Sequence, residues 1–275
     1  MSRERVTVGN VEIVALLDTP MEFPWSVFFP TIPLDDFNAY RDLYPAAFAE
    51  SMFQTNAHCY ALRSAGKTVL VDTGVGPGPI AWLGGRRGHL LEDMNAKGVP
   101  PDSVDIVAFT HLHGDHVGWN LTPDNIPTFP KARYLVPQAD WDFFSAALAS
   151  NPQMEQVTPL KALGIMDLFD GEHPVTGDIT SLPTPGHTPG HHSFLVSSAG
   201  ERALLSGDLA HHPAQVDRTE WCSAFDTDPA TATASRSKAF DRMEAEGILG
   251  AFCHFPDPGF GRLVRLEGKR VFQAL

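Results

Sequence analysis

The stretch Thr110–Asn120, THLHGDHVGWN, crowds three histidines and one aspartate into six residues. The four residues are His111, His113, Asp115 and His116. Imidazoles this close repel one another when protonated, and each ring carries nitrogen atoms that need a partner. A folding role does not account for such crowding. The stretch therefore predicts that a cation lies among these side chains.

The spacing within the stretch divides its side chains between two cations. His111 and His113 are two positions apart, so on an extended segment both side chains point the same way and can bind one ion. Asp115 and His116 follow after a turn and can face a second ion close by. Imidazole and carboxylate donors without a thiolate suit Zn2+, and they also suit Mn, Fe or Co.

Further candidate ligands stand at strand and loop ends elsewhere in the chain. His187 lies in the loop TPGHTPG, where proline and glycine restrict the backbone around a single imidazole. Asp208 follows an apolar strand and offers two oxygens for two ions, and His254 ends the last buried strand. Asp72 ends another strand, where we expect it to accept an N–H from a ligand histidine. Such groups meet at one rim of a sheet, where α/β proteins commonly build sites.

Strand and helix signals alternate along the whole chain, without a repeat or a low-complexity linker. Strands are predicted at 6–17, 57–63, 68–71, 106–109, 133–136, 203–205 and 248–252, and helices at 89–97, 138–149 and 229–246. This order predicts one α/β domain over residues 1–275, with sheets inside and helices outside.

Composition excludes several classes of protein. The chain has 20 basic and 33 acidic residues, and no basic run is longer than Arg86–Arg87, which argues against a nucleic-acid partner. Three widely spaced cysteines argue against a disulfide framework and fit a reducing compartment. Neither a signal peptide nor an apolar run approaching the roughly 18 residues of a membrane span is present. We therefore predict a cytoplasmic protein without a membrane partner.

The segment 20–55 is rich in proline and aromatic residues. One interpretation is a hydrophobic wall near the active site, or an arm at the interface of a homodimer. The other is that these aromatic side chains only cover the edge of a sheet. The sequence does not decide between them.

Four pieces of the sequence together resemble the metallo-β-lactamase-fold hydrolase superfamily. They are THLHGDHVG, TPGHTPGH, SGD and the C-terminal His254, in this order and over nearly the whole chain. The resemblance implies an αββα sandwich, with two mixed β-sheets flanked by helices and a dinuclear site at the sheet edges. It also implies the ligands: His111, His113 and His187 for one metal, Asp115, His116 and His254 for the other, and Asp208 as the bridge.

Within the superfamily, the sequence is most similar to the N-acyl-homoserine lactonase and methyl-parathion-hydrolase branch. The β-lactamases proper lack an aspartate bridge at position 208, which argues against antibiotic hydrolysis. The implied reaction is attack by a hydroxide that bridges two divalent ions, expected to be Zn2+, on a small apolar ester, with a lactone favoured. Asp115 would help to orient the reactants or accept the proton. The alternatives are an aryl ester or phosphotriester hydrolase and an iron-dependent persulfide dioxygenase.

One position departs from the lactonase pattern. Quorum-quenching lactonases commonly place a tyrosine three residues after the bridging aspartate, where it can contact the substrate carbonyl, and this chain has His211 there. An imidazole can donate the same hydrogen bond or protonate a leaving alkoxide, so His211 is a candidate catalytic residue. A purely supporting role for it stays open. We expect His191, His192 and His212 to be structural or surface residues, and Cys253 to belong to the core.

Overall fold

The structure is a computed structural model that describes residues 4–275. Residues 1–3, which belong to the predicted domain and N-terminal stretch, lie outside the described residues. The first sheet contains β1 (Arg5–Val8), β2 (Val11–Pro24), β3 (Phe48–Ala49), β4 (Met52–Ser64), β5 (Lys67–Val71), β6 (Ile106–Ala108), β7 (Arg133–Pro137) and β8 (Met166–Phe169). The second contains β9 (Ile179–Pro183), β10 (His192–Ser198), β11 (Glu201–Leu205), β12 (Leu249–Ala251), β13 (Phe260–Leu266) and β14 (Lys269–Ala274).

The helices of the described residues follow the same chain order. They are α1 (Trp25–Phe28), α2 (Leu34–Asn38), α3 (Leu90–Ala96), α4 (Gly114–Val117), α5 (Gln138–Ser145), α6 (Thr158–Ala162) and α7 (Pro229–Glu246). Across residues 4–275, no helix combines the length and the apolar composition that crossing a bilayer requires.

Both sheets are mixed. The first has the strand order β1-β2-β4-β5-β6-β7-β8, with β3 paired to β4, and it changes from antiparallel to parallel pairing at β5. The second has the order β14-β13-β12-β11-β10-β9, in which β11 and β12 are parallel and the other neighbours are antiparallel. The prediction of two mixed sheets flanked by helices is confirmed.

Strand pleating explains the layers of the core. Val69 and Val71 of β5 pack in a cluster shared by the two sheets, whereas Leu70 between them packs with side chains of α3, α5 and α6. In the second sheet, Leu205 of β11 faces the shared cluster and Leu204 packs with side chains of α7. Because successive side chains point to opposite faces, a continuous apolar strand buries both faces of its sheet.

The structure extends and corrects the predicted elements. β2 continues to Pro24 and pairs with β4 as far as Met52, so the segment 20–55 begins as sheet, and the register shifts between Leu17 and Thr19. This irregularity places Asp18 where its carboxylate accepts hydrogen bonds from backbone and indole N–H groups. Helix α5 ends at residue 145, four residues before its predicted end. Strands β3, β8, β9, β10, β13 and β14 were not predicted.

Helix α7 is capped at both ends and carries a buried arginine. The Asp228 side chain accepts hydrogen bonds from two N–H groups of the first turn, and Gly247 ends the helix in the left-handed conformation. Arg236 is 1% exposed and donates to the carbonyl oxygens of Leu209 and Trp221, with its Nη2 3.2 Å from the Asp226 carboxylate. The helix is thereby attached to the loop that follows β11.

We expect Arg236→Ala to lower the free energy of unfolding by about 3–5 kcal/mol, because it leaves a buried carboxylate and several carbonyl groups without their partner. Chemical denaturation monitored by tryptophan fluorescence measures this change. Arg242→Ala, which removes an exposed arginine from the same helix, is the matched control and should have a far smaller effect. Equal losses in the two variants would contradict the structural role given to Arg236.

Candidate metal centre

Three imidazole nitrogens converge at the edge of the sandwich. The Nδ1 atom of His113 lies 3.1 Å from Nε2 of His111 and 2.9 Å from Nε2 of His187. His111 and His113 follow β6, and His187 lies in the loop between β9 and β10. Atoms bound to one tetrahedral zinc ion are about 3.3 Å apart, so these spacings approach those of a metal-binding group.

A second group of donors lies beside the first, with Asp208 between them. The Oδ2 atom of Asp208 is 3.1 Å from Nε2 of His187, whereas its Oδ1 atom is 3.1 Å from Nε2 of both His116 and His254. Asp115 is more exposed, and its Oδ2 atom is 3.8 Å from His116 Nε2 and 3.7 Å from His254 Nε2. The two oxygens of one carboxylate therefore face two donor groups.

The outer nitrogen of each buried histidine ligand candidate is held by a hydrogen-bond partner. His116 Nδ1 is 2.8 Å from the Asp72 carboxylate, as predicted for Asp72. His187 Nδ1 is 2.9 Å from the Asp226 carboxylate, and His254 Nδ1 is 2.7 Å from a backbone carbonyl oxygen. These contacts fix the ring orientation and leave the Nε2 lone pair directed inward.

The donors fit divalent metal ions. Imidazole nitrogens 2.9–3.1 Å apart cannot all be satisfied by one another, since neutral rings have one donor nitrogen each. Within residues 4–275, the buried Nε2 of His116 makes no hydrogen bond of suitable geometry, even with Asp208 Oδ1 at 3.1 Å. Cations placed between the nitrogens and the Asp208 oxygens would satisfy both groups. The residues brought together are those predicted: His111, His113, Asp115, His116, His187, Asp208 and His254.

Electrostatics within the cluster favours bound cations. Burial lowers the pKa of His113 to about 3 and holds that of His111 well below its ordinary value. Burial also acts to lower the pKa of His116 and His254, but there Asp208 and the other acidic neighbours together outweigh it and raise the pKa. Burial alone would raise the pKa of Asp208, whereas the surrounding histidines hold it well below its usual range. The cluster thus contains an ionised carboxylate surrounded by nitrogen donors.

Asp208 is itself positioned by a histidine that the sequence analysis left as structural or surface. His191 is buried, and its Nε2 accepts a hydrogen bond from the backbone N–H of Asp208 at 2.9 Å. Gly207 has a φ of +54°, and a Cβ there would lie 2.6 Å from His191 Nε2. The glycine of the SGD motif is therefore required for this contact.

A buried aspartate ties the two histidine-bearing loops together. The Asp140 carboxylate accepts hydrogen bonds from the backbone N–H of Leu112 and of Gly190, at 3.0 and 2.6 Å. It also accepts one from the Thr188 hydroxyl at 2.9 Å. Leu112 lies between His111 and His113, so Asp140 sets the distance between these ligands and the His187 loop. Sequence reasoning missed Asp140 and Asp226 because both act through distant parts of the chain.

A cavity of about 740 Å3 opens above the donor groups. Its walls are largely apolar and include Phe23, Phe28, Trp82 and Phe225, while Asp115, Asp208 and the histidines form part of its floor. Among the described residues that line it there is no lysine or arginine. Of the segment 20–55, Met21, Phe23 and Phe28 reach this cavity. The cavity is thus suited to an uncharged, partly apolar molecule.

His211 lies between the aromatic wall and the donor groups. Its Nε2 is 3.2 Å from Asp208 Oδ2, and its ring centre is 5.1 Å from that of Phe28. Burial lowers its pKa to about 4. His212 points the other way, into a cluster of aromatic rings that includes Trp25, Phe37 and Phe53. The loop after β11 therefore turns one histidine toward the cavity and the next toward the core.

The chain matches a family model and several known proteins. Residues 53–248 match the family model described as the metallo-beta-lactamase superfamily. The chain is 29% identical to the uncharacterized protein YobT of Bacillus subtilis, over 86% of this chain and 95% of that protein. It is 25% identical to the N-acyl homoserine lactonase AiiA of Bacillus thuringiensis subsp. kurstaki, over 68% of this chain and 76% of the lactonase.

Two solved structures resemble the whole chain. The hydrolase AbOPH of the beta lactamase superfamily superimposes with a TM-score of 0.87 at 26% identity, covering 98% of this chain and 96% of its own. AidC, a dizinc quorum-quenching lactonase, superimposes with a TM-score of 0.84 at 22% identity and the same coverage. At that identity, the likeness to AidC concerns the fold.

We expect Asp226→Asn to weaken metal binding about 10- to 100-fold, because the outer nitrogen of His187 loses its carboxylate partner. Competition with a chromophoric chelator measures the affinity. Asp228→Asn, two residues away at the start of α7, is the matched control, because asparagine also caps helices well. An unchanged affinity in folded Asp226→Asn protein would refute the role of this hydrogen bond.

Proposed function

The chain belongs to the metallo-beta-lactamase superfamily, and on this basis we propose that it is a dinuclear metal-dependent hydrolase of small, uncharged esters, with a lactone favoured. The observation that carries the proposal is Asp208, whose two oxygens face two separate donor groups beneath a largely apolar cavity. The similarity to AiiA over two thirds of the chain supports the lactone as substrate.

The proposed ligands are those that the family resemblance implies. His111, His113 and His187 would hold one ion, His116, His254 and Asp115 the other, and Asp208 would bridge them. Two divalent ions, of which Zn2+ best suits imidazole and carboxylate donors, would make hydroxide available near neutral pH and polarise the ester. We propose both the number of the ions and their identity.

The protein's own side chains then have separate tasks. Asp115 lines the cavity and its carboxylate can accept a proton or orient the attacking group. His211 also lines the cavity, and its N–H can donate a hydrogen bond to a substrate oxygen or a proton to the departing alkoxide. Phe28 and Phe225 provide apolar contact for an acyl chain or an aromatic group.

The charge of the cavity narrows the substrate class. Because no lysine or arginine lines it within residues 4–275, a carboxylate or phosphate group held away from the proposed metal ions would have no cationic partner. Lactones, aryl esters and phosphotriesters are uncharged and meet this condition. The aromatic walls favour an aryl ester or phosphotriester as the second candidate. Two donor groups, rather than one, argue against a persulfide dioxygenase with a single iron.

The test is a substrate panel with protein of known metal content. We expect metal analysis to give two ions per chain, and proton-release assays to show turnover of acyl-homoserine lactones or simple lactones. A chelator should abolish turnover, and Zn2+, Mn2+ or Co2+ should restore it. Turnover of aryl esters or phosphotriesters alone would support the second candidate. One bound iron with oxygen consumption on a thiol substrate would overturn the hydrolase proposal.

His211 has its own test. We expect His211→Phe to lower kcat about 100-fold or more while the metal content stays unchanged, because the variant loses a donor to the substrate. His211→Gln retains an N–H donor and should recover part of the loss if hydrogen bonding is the main contribution. An unchanged rate in His211→Phe would assign this residue a supporting role.

A further inference from the structure

The donor group around His116 contains a sulfur atom. The Sγ atom of Cys253 lies 3.3 Å from Oδ1 of Asp208, the same oxygen that is 3.1 Å from His116 Nε2 and from His254 Nε2. These four donor atoms all lie within 4.8 Å of one another, and all four residues are buried. Cys253 packs in the core cluster between the two sheets, as predicted, and its sulfur also reaches the candidate metal centre.

The distances from Asp208 Oδ1 to the other three donor atoms are close to those within a coordination shell. Atoms bound to one tetrahedral zinc ion through nitrogen, oxygen and sulfur are about 3.3–3.6 Å apart. The sulfur-to-oxygen distance of 3.3 Å agrees with this, and the two nitrogen-to-oxygen distances are slightly shorter. Asp115, which the family resemblance implies as a ligand here, is farther away, at 3.7–3.8 Å from the same nitrogens.

A second observation points to a ligand among these four residues. The Nε2 atom of His116 is buried and makes no hydrogen bond of suitable geometry to any residue within 4–275, although Asp208 Oδ1 is 3.1 Å away and Asp72 holds the other side of the ring. The Cys253 backbone is also fixed, since its carbonyl oxygen is 3.1 Å from the His58 amide nitrogen and 3.0 Å from His58 Nδ1. A cation bound among these four residues would satisfy the His116 nitrogen, and the surrounding donor atoms are already held in place.

We propose that the Cys253 sulfur binds the divalent ion held by His116, His254 and Asp208, so that this position has a thiolate ligand. The inference rests on the proposed dinuclear centre. A thiol that ligates a divalent ion releases its proton to the solvent, and the S–H contact to Asp208 is then replaced by a sulfur–metal bond. The two metal positions would therefore differ in ion preference. The position with the sulfur ligand favours softer ions such as Zn2+ and Cd2+, whereas the position without it favours Mn2+.

Cobalt substitution tests this inference without relying on activity. Metal-free protein is titrated with Co2+ without oxygen, while the bound cobalt is counted and the absorption spectrum recorded. We expect two cobalt ions per chain and an intense sulfur-to-cobalt charge-transfer band in the near-ultraviolet. The band should disappear in Cys253→Ser, while the visible ligand-field bands persist.

The other two thiols provide the matched control. The double variant Cys59→Ala/Cys222→Ser leaves Cys253 as the sole cysteine and should keep the band at full intensity. This variant and the wild-type spectrum keep the inference testable even if Cys253→Ser does not fold. A band that persists in folded Cys253→Ser would overturn the assignment.

The metal count separates this inference from the proposed function. Two bound cobalt ions without a sulfur band would overturn the Cys253 ligand and leave the dinuclear centre intact. One bound cobalt ion with the band would support the sulfur ligand and contradict the dinuclear centre. One bound cobalt ion without the band would contradict both.

Discussion

A single buried carboxylate organises this molecule. Asp208 is 3% exposed, and burying an ionised group away from water costs free energy unless opposite charge surrounds it. Here the compensation comes from imidazoles on four separate segments of the chain, which meet at the edge shared by the two sheets. The ends of β6, β11 and β12 have to lie where they do for those rings to reach one carboxylate, so the arrangement of strands and the electrostatics of the centre depend on each other.

Further buried aspartates hold this arrangement in place. Asp72 has a φ of +61°, an uncommon conformation for a residue with a side chain, and from there it contacts both Thr110 and His116. Asp140 links the two histidine loops, and Asp18 links Trp119 to the cavity wall at Val75. Each carboxylate accepts several hydrogen bonds from distant segments. The donor atoms are therefore positioned by the protein before any ion binds.

The sequence revealed the donors but, apart from Asp72, not the residues that support them, for a physical reason. The histidine cluster is local, and its residue types have no ordinary packing role, so it is recognisable without knowledge of the fold. By contrast, Asp226 meets His187 across 39 positions and His191 meets Asp208 across 17, and nothing in the local sequence marks these contacts. Strand β9 ends in a proline and β10 is rich in serine, and both gain their stability from pairing in the sheet. By contrast, β13 and β14 alternate apolar and charged residues, a pattern from which both strands could have been predicted.

The cavity walls and the donor atoms come from different kinds of segment. Trp82 and Phe225 lie on connections between strands and are 53% and 44% exposed, whereas the donors stand at the buried ends of strands. Exposed side chains on connections tolerate replacement, because little else depends on them. Descendants of such a chain can thus diversify in the molecules they accept while inheriting one reaction chemistry unchanged. Phe28 packs against His211, so at this position the cavity wall and the reaction chemistry would have to evolve together.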